Sequence, residues 1–80
     1  MSPIGERVVK IIARELGMDP EQVAYGDTFG GSLDCDSLDF INALVAIDIE
    51  FGVRIESKDA AAIKSVADLV RHVEGARVAA

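Results

Sequence analysis

The sequence predicts an all-α fold: a small bundle of three main helices plus one short helix. Three observations point there. Apolar residues recur at helical spacing in three long segments. Those segments are separated by short stretches rich in Gly, Asp, Ser and Pro. No segment alternates apolar and polar residues for long enough to pair as a sheet. The chain has 80 residues, half of them apolar, and a single cysteine. That is one small domain, 1–80, with a folded core over about residues 3–75, stabilised by helix packing without a disulfide or structural zinc.

The first helix is expected to start at Ser2, a capping residue, with Pro3 at its first position. Ile4, Val8, Ile11, Ile12 and Leu16 share one face, and Arg7, Lys10 and Arg14 lie off it. Gly17 is its stop. Asp19-Pro20-Glu21 begins a further turn, with Val23 pointing inward. Tyr25 to Ser32 reads as loop, anchored to the core by Phe29 and Leu33.

The second helix is expected from about Ser37 to Phe51, ended by Gly52. Val53 and Ile55 then pack inward, and Ser57 to Ile63 forms one short helix. Ser65 and Asp68 resemble a capping box before the last helix. Val66, Leu69, Val70 and Val73 form that helix's inner face, and the tail from Gly75 is expected to fray.

The second helix carries two apolar stripes. At 100° per residue, Phe40, Ala43, Leu44, Ile47 and Phe51 fall in one arc of roughly 100°. Leu38, Ile41, Val45 and Ile49 fall in another of roughly 80°. The first arc, with both phenylalanines, is the expected core face. The second is either a docking surface, edged by Asp36, Asn42, Asp39 and Asp48, or a face buried under residues 17–36.

The net charge of −6 is uneven. Residues 17–59 hold ten acidic and two basic side chains, and both flanking segments are slightly basic. This disfavours nucleic acid and anionic membrane surfaces and favours partners with basic patches. No apolar run reads as a signal peptide or is long enough to span a bilayer, so a cytoplasmic monomer with a reduced Cys35 is expected.

Asp36-Ser37-Leu38-Asp39 sits at the start of the second helix. Asp36 is a natural cap, and Ser37 would occupy the first helical position, where the local field favours an attached anion. A nucleophilic serine would need an oriented base, and His72, the single histidine, is expected to be solvated on the last helix. Asp34-x-Asp36 fails as an EF-hand loop: counting from Asp34, the sixth position is Asp39 rather than Gly and the twelfth is Val45 rather than Glu. It fails as an aspartyl phosphotransferase for want of strands. No metal site and no catalytic residue is assigned, and the chain does not read as an enzyme.

The run Phe29-x-x-x-Leu33-x-x-Asp36-Ser37-Leu38-Asp39 resembles the signature of acyl carrier proteins. Leu44, Ile47, Phe51 and Gly52-Val53-x-Ile55 fit the same pattern, and the likeness spans about residues 3–75. The resemblance implies that Ser37 receives 4′-phosphopantetheine from coenzyme A through a magnesium-dependent transferase. The thiol of that arm would hold acyl groups as thioesters and shuttle them between the enzymes of lipid or polyketide biosynthesis. Asp36 would help bind the transferase's magnesium. Leu38, Asp39, Ile41, Val45, Asp48 and Ile49 would dock the transferase and the synthases, acyltransferases and ligases that handle the cargo. The acyl chain would retreat between the helices. An aminoacyl or peptidyl carrier, or an unmodified helical adaptor, are the alternatives.

The chain departs from the family pattern at four places. Asp34-Cys35 replaces a small pair such as Gly-Ala, Ser32 replaces an acidic residue, and Asn42 and Ile49 stand where many members carry Glu. The stripe is therefore less acidic and more apolar than in the usual fatty-acid carrier, which implies a specialised pathway. Cys35 is expected to pack rather than react. The concentration of like charge in residues 17–59 should loosen the fold. Added salt or divalent cations are therefore expected to raise the melting temperature followed by circular dichroism. An unchanged or lower value would contradict this.

Overall fold

A computed structural model describes residues 2–79, with side chains through Ala76. The first helix, α1 (Pro3–Leu16), begins where expected: the Ser2 hydroxyl accepts the Gly5 N–H at 3.0 Å. The same hydroxyl donates to Glu74 at 3.0 Å, tying this end to the last helix. Gly17 closes α1 at φ 68°, a conformation that costs glycine little. A single 3₁₀ turn, Pro20–Gln22, follows, capped by Asp19.

The other helices are α2 (Ser37–Phe51), α3 (Ser57–Ala62) and α4 (Val66–Ala79). Gly52, at φ 64°, ends α2. The Glu56 N–H donates to Asp59 at 3.1 Å at the head of α3. Ser65 and Asp68 form the expected reciprocal cap of α4: the Asp68 N–H donates to the Ser65 hydroxyl at 3.2 Å, and the Ser65 N–H donates to Asp68 at 3.1 Å. The Asp68 carboxylate also accepts the Lys64 N–H, and that bond is the main cause of its lowered pKa. Its contribution to the cap is therefore present above the ordinary carboxylate range and lost as pH falls through its depressed value.

One expectation about α4 needs correction. The helix does not fray at Gly75 but continues to Ala79, because Ala76 still packs against the core and holds the turn. Ala80 lies outside the described residues. His72 keeps partial exposure, with Nε2 3.4 Å from the Arg54 carbonyl.

The core forms where α1 packs on α2 and α4. Val8, Ile12, Ile47, Val66, Leu69 and Val73 are its largest fully buried side chains. Burying each such side chain contributes about 1.5–3 kcal/mol relative to exposure. Val23, Phe29, Leu33, Val53 and Ile63 fill it from the connecting segments. At the rim, the Arg7 guanidinium lies over the Phe51 ring at 4.5 Å and pairs with Glu50 at 2.7 Å, joining α1 to the end of α2.

The long loop between α1 and α2 is fastened to the start of α4 by backbone bonds. Phe29 N–H donates to Lys64 at 3.1 Å, Val66 N–H to Asp27 at 3.0 Å, and Ala67 N–H to Tyr25 at 3.0 Å. Thr28 and Ser65 form an isolated antiparallel bridge there, the nearest approach to a sheet among the described residues. Tyr25 lays its phenol against Gly5 of α1, and its buried hydroxyl has no hydrogen-bond partner among the described residues. A methyl group at position 5 would collide with that phenol. Gly5→Ala is therefore expected to destabilise the fold by about 1–3 kcal/mol in urea unfolding, despite alanine's better helix propensity. A neutral or stabilising substitution would show that Tyr25 does not need this seat.

Candidate functional site

The start of α2 is built by one carboxylate. Asp36 has extended backbone, φ −83° and ψ 178°, and its Oδ1 accepts the Asp39 N–H at 2.8 Å. That bond satisfies one free donor of the first turn and fixes Ser37 as the first helical residue. The Ser37 and Leu38 N–H groups keep no acceptor among the described residues. Ser37 is exposed, and its hydroxyl makes no hydrogen bond among the described residues.

The turn before it carries a strained residue. Asp34 has φ 50°, in the left-handed region that glycine enters freely and aspartate tolerates. Two backbone bonds hold it there: Asp34 N–H to Gly31 at 3.0 Å and Cys35 N–H to Phe29 at 3.0 Å. The Cys35 thiol is half-buried and points its hydrogen at the Asp36 carbonyl, 3.6 Å away. Burial raises its pKa first, and the carboxylates of Asp39, Asp36 and Asp34 raise it further. It is thus suppressed as a nucleophile.

Ser37 opens onto a shallow cleft of about 300 Å³. Phe29, Phe40 and Ile63 supply its large apolar lining, and Ala60, Ala61 and Lys64 line it as well. Phe29 and Phe40 meet at 4.9 Å between ring centres, tilted by 50°. Phe40 is therefore only half-buried, where a fully buried core position was expected from its arc. The rest of that arc, Ala43, Leu44, Ile47 and Phe51, is buried as expected.

The second stripe is open. Leu38 is 66 % exposed, Ile41 54 %, Val45 51 % and Ile49 78 %, so the loop does not cover it. Asn42 is exposed, and Asp39 and Asp48 are half-buried at its edges. None of Asp36, Asp39 and Asp48 has an ion-pair partner among the described residues. Ile41, Val45 and Asp48 also line a second cleft of about 260 Å³ between α2 and α3, which shares Ala60 with the first.

No catalytic set assembles around the serine. His72 is not among the cleft residues. Among the described residues, no group of three or more His, Cys, Asp or Glu side chains is placed to hold a metal ion. An exposed, unbonded hydroxyl beside free N–H donors and an apolar cleft can instead be esterified and can carry an anion.

Residues 6–73 match the family described as the phosphopantetheine attachment site. The acyl carrier protein of Sinorhizobium fredii (strain NBRC 101917 / NGR234) is 43 % identical over 77 residues, covering 96 % of this chain and 99 % of that one. The acyl carrier protein AcpP of Rhizobium meliloti (strain 1021) matches to the same extent. That of Rhodopseudomonas palustris (strain BisB18) is 42 % identical over 74 residues, 92 % of this chain and 94 % of that one. The chain belongs to the acyl carrier protein family. It is a carrier whose cofactor is a covalently attached 4′-phosphopantetheine.

Sequence reasoning missed Lys64 in the cleft lining and the seat of Tyr25 on Gly5. Only the fold brings residue 64 into the same cleft as residue 37; a glycine on the inner side of a good helical pattern was the available signal for the other. The suppressed thiol gives a direct check. Cys35 is expected to alkylate with iodoacetamide at pH 8 several-fold more slowly than a free peptide thiol. An equal or faster rate would contradict the surroundings described.

Proposed function

We propose that Ser37 is the attachment point of the phosphopantetheine arm and that the α2 stripe is read by the enzymes that load and use it. The observation that carries this is the exposed, unbonded Ser37 hydroxyl, held by the Asp36 cap at the mouth of an apolar cleft. The bound arm supplies a thiol that holds acyl groups as thioesters. The residues of this chain do the rest. The free N–H groups of Ser37 and Leu38 favour the attached phosphodiester. The Asp36 carboxylate uses Oδ1 for its cap, and its other oxygen would be available to help bind the transferase's magnesium. The cleft lining of Phe29, Phe40 and Ile63 offers the arm and its cargo an apolar bed.

Docking is assigned to Leu38, Asp39, Ile41, Val45, Asp48 and Ile49. Four exposed apolar side chains supply contact area, and the unpaired carboxylates at the edge steer basic patches. Ile49 and Asn42 make this surface more apolar than that of the usual fatty-acid carrier, so the partners belong to a dedicated lipid or polyketide pathway. The carrier works as one domain and as a monomer, catalyses no reaction itself, and operates in the cytoplasm. Among the described residues no helix is long and apolar enough to cross a membrane.

Incubation with a broad-specificity transferase, coenzyme A and magnesium is expected to add one phosphopantetheine, read by intact mass. Ser37→Ala should abolish the adduct. Ile41→Asp should accept it with kcat/KM lowered by about tenfold, through loss of apolar contact at the interface. An absent adduct, or one that survives Ser37→Ala, sinks the assignment of Ser37. An unchanged kcat/KM for Ile41→Asp removes that residue from the docking face.

A further inference from the structure

Lys64 stands apart from the other basic side chains. Arg7, Arg14, Arg54, Lys58 and Arg71 each pair with a carboxylate. Lys10 borders a separate groove with Glu6 and Glu21. Lys64 is exposed, has no ion-pair partner among the described residues, and lines the same cleft as Ser37. Its backbone is held on both sides. The Lys64 carbonyl accepts Phe29 N–H at 3.1 Å, and its own N–H donates to Asp68 at 3.0 Å. An ammonium on a four-carbon stem is thus rooted, by a fixed backbone, in the lining of the cleft that Ser37 shares.

We infer that Lys64 holds the phosphodiester of the attached arm in this cleft, as a positioning residue for the cofactor. The inference rests on Ser37 being the attachment point. Its physical basis is a local imbalance of charge. Asp34, Asp36 and Asp39 all act on the thiol of Cys35, two residues before the serine, and an attached phosphodiester adds another negative charge to this region. Lys64 is the cation that lines the cleft. An ammonium is a compact point charge with three donors, suited to a phosphate oxygen. Pairing there lays the first segment of the arm over Phe40, Ile63 and α3. Leu38 and Ile49, which line neither α2–α3 cleft, stay uncovered for partner enzymes.

The test compares wild type, K64R, K64Q and K64E, each prepared in the apo form and loaded from coenzyme A, with loading confirmed by intact mass. Two readouts follow: the ³¹P chemical shift of the phosphodiester, and the difference in melting temperature between holo and apo forms. At low salt the holo–apo difference is expected to be higher in wild type than in K64Q by about 2 °C, the size of an exposed ion pair in a domain of this length. K64R should keep the difference and K64E should reverse it. In ~1 M salt, where the screening length is about 3 Å, wild type and K64Q should converge. The ³¹P resonance should shift between wild type and K64Q in low salt. If loading succeeds and both readouts are the same in K64Q as in wild type, the role of Lys64 is overturned while Ser37 stands. If wild type gains no adduct, both fall.

Discussion

The backbone fastening between the α1–α2 loop and the head of α4 is the constraint on which the rest of this structure depends. Fourteen residues separate the 3₁₀ turn from α2, too many to hold a shape by local preference alone. Three N–H···O bonds, to and from residues 25, 27, 29, 64, 66 and 67, fix the loop to a helix start that is itself capped by Ser65 and Asp68. With Phe29 so held, its ring enters the core and its carbonyl receives Cys35 N–H. That bond sets the turn through Asp34, and the turn delivers Asp36 to cap α2. The position of the Ser37 hydroxyl is thus the end of a chain of contacts that begins on α4.

The division of labour on α2 follows from the same geometry. One face gives Ala43, Leu44, Ile47 and Phe51 to the core, and burial of that face is enough to hold the helix. The opposite stripe is then free to remain apolar and exposed. A helix with apolar residues on two sides costs solubility, and the acidic edge of the stripe offsets this by keeping copies apart. The acidity that marks this region has a second consequence at the serine. Added to burial, it raises the pKa of the Cys35 thiol further, and it sets Lys64, which lines the same cleft, in an acidic neighbourhood.

The helices were legible in the sequence because their signals are local. Ser2, Gly17, Asp36, Gly52 and the Ser65–Asp68 pair act within one turn of their own position, and each does in the structure what its residue type favours. The motif around Ser37 was legible for the same reason, since cap and serine are adjacent. Less legible was anything that needed two distant segments. The fraying expected at Gly75 overlooked Ala76 packing on the core. Phe40 read as core from its arc, but it shares the cleft with Phe29 instead.

By itself, then, the sequence determined an all-helical chain, the boundaries of α1 and α2, and a modifiable serine on a helix start in an acidic region. Caps, periodicity and composition decide these within about four residues of chain. The tertiary structure decided whether the Leu38–Ile41–Val45–Ile49 stripe is covered or open, which apolar groups line the cleft, and that Lys64 lines the same cleft as Ser37. Those depend on contacts between separate segments of the chain, Phe29 with Phe40 and the loop with residues 64–67, which packing of the core brings together.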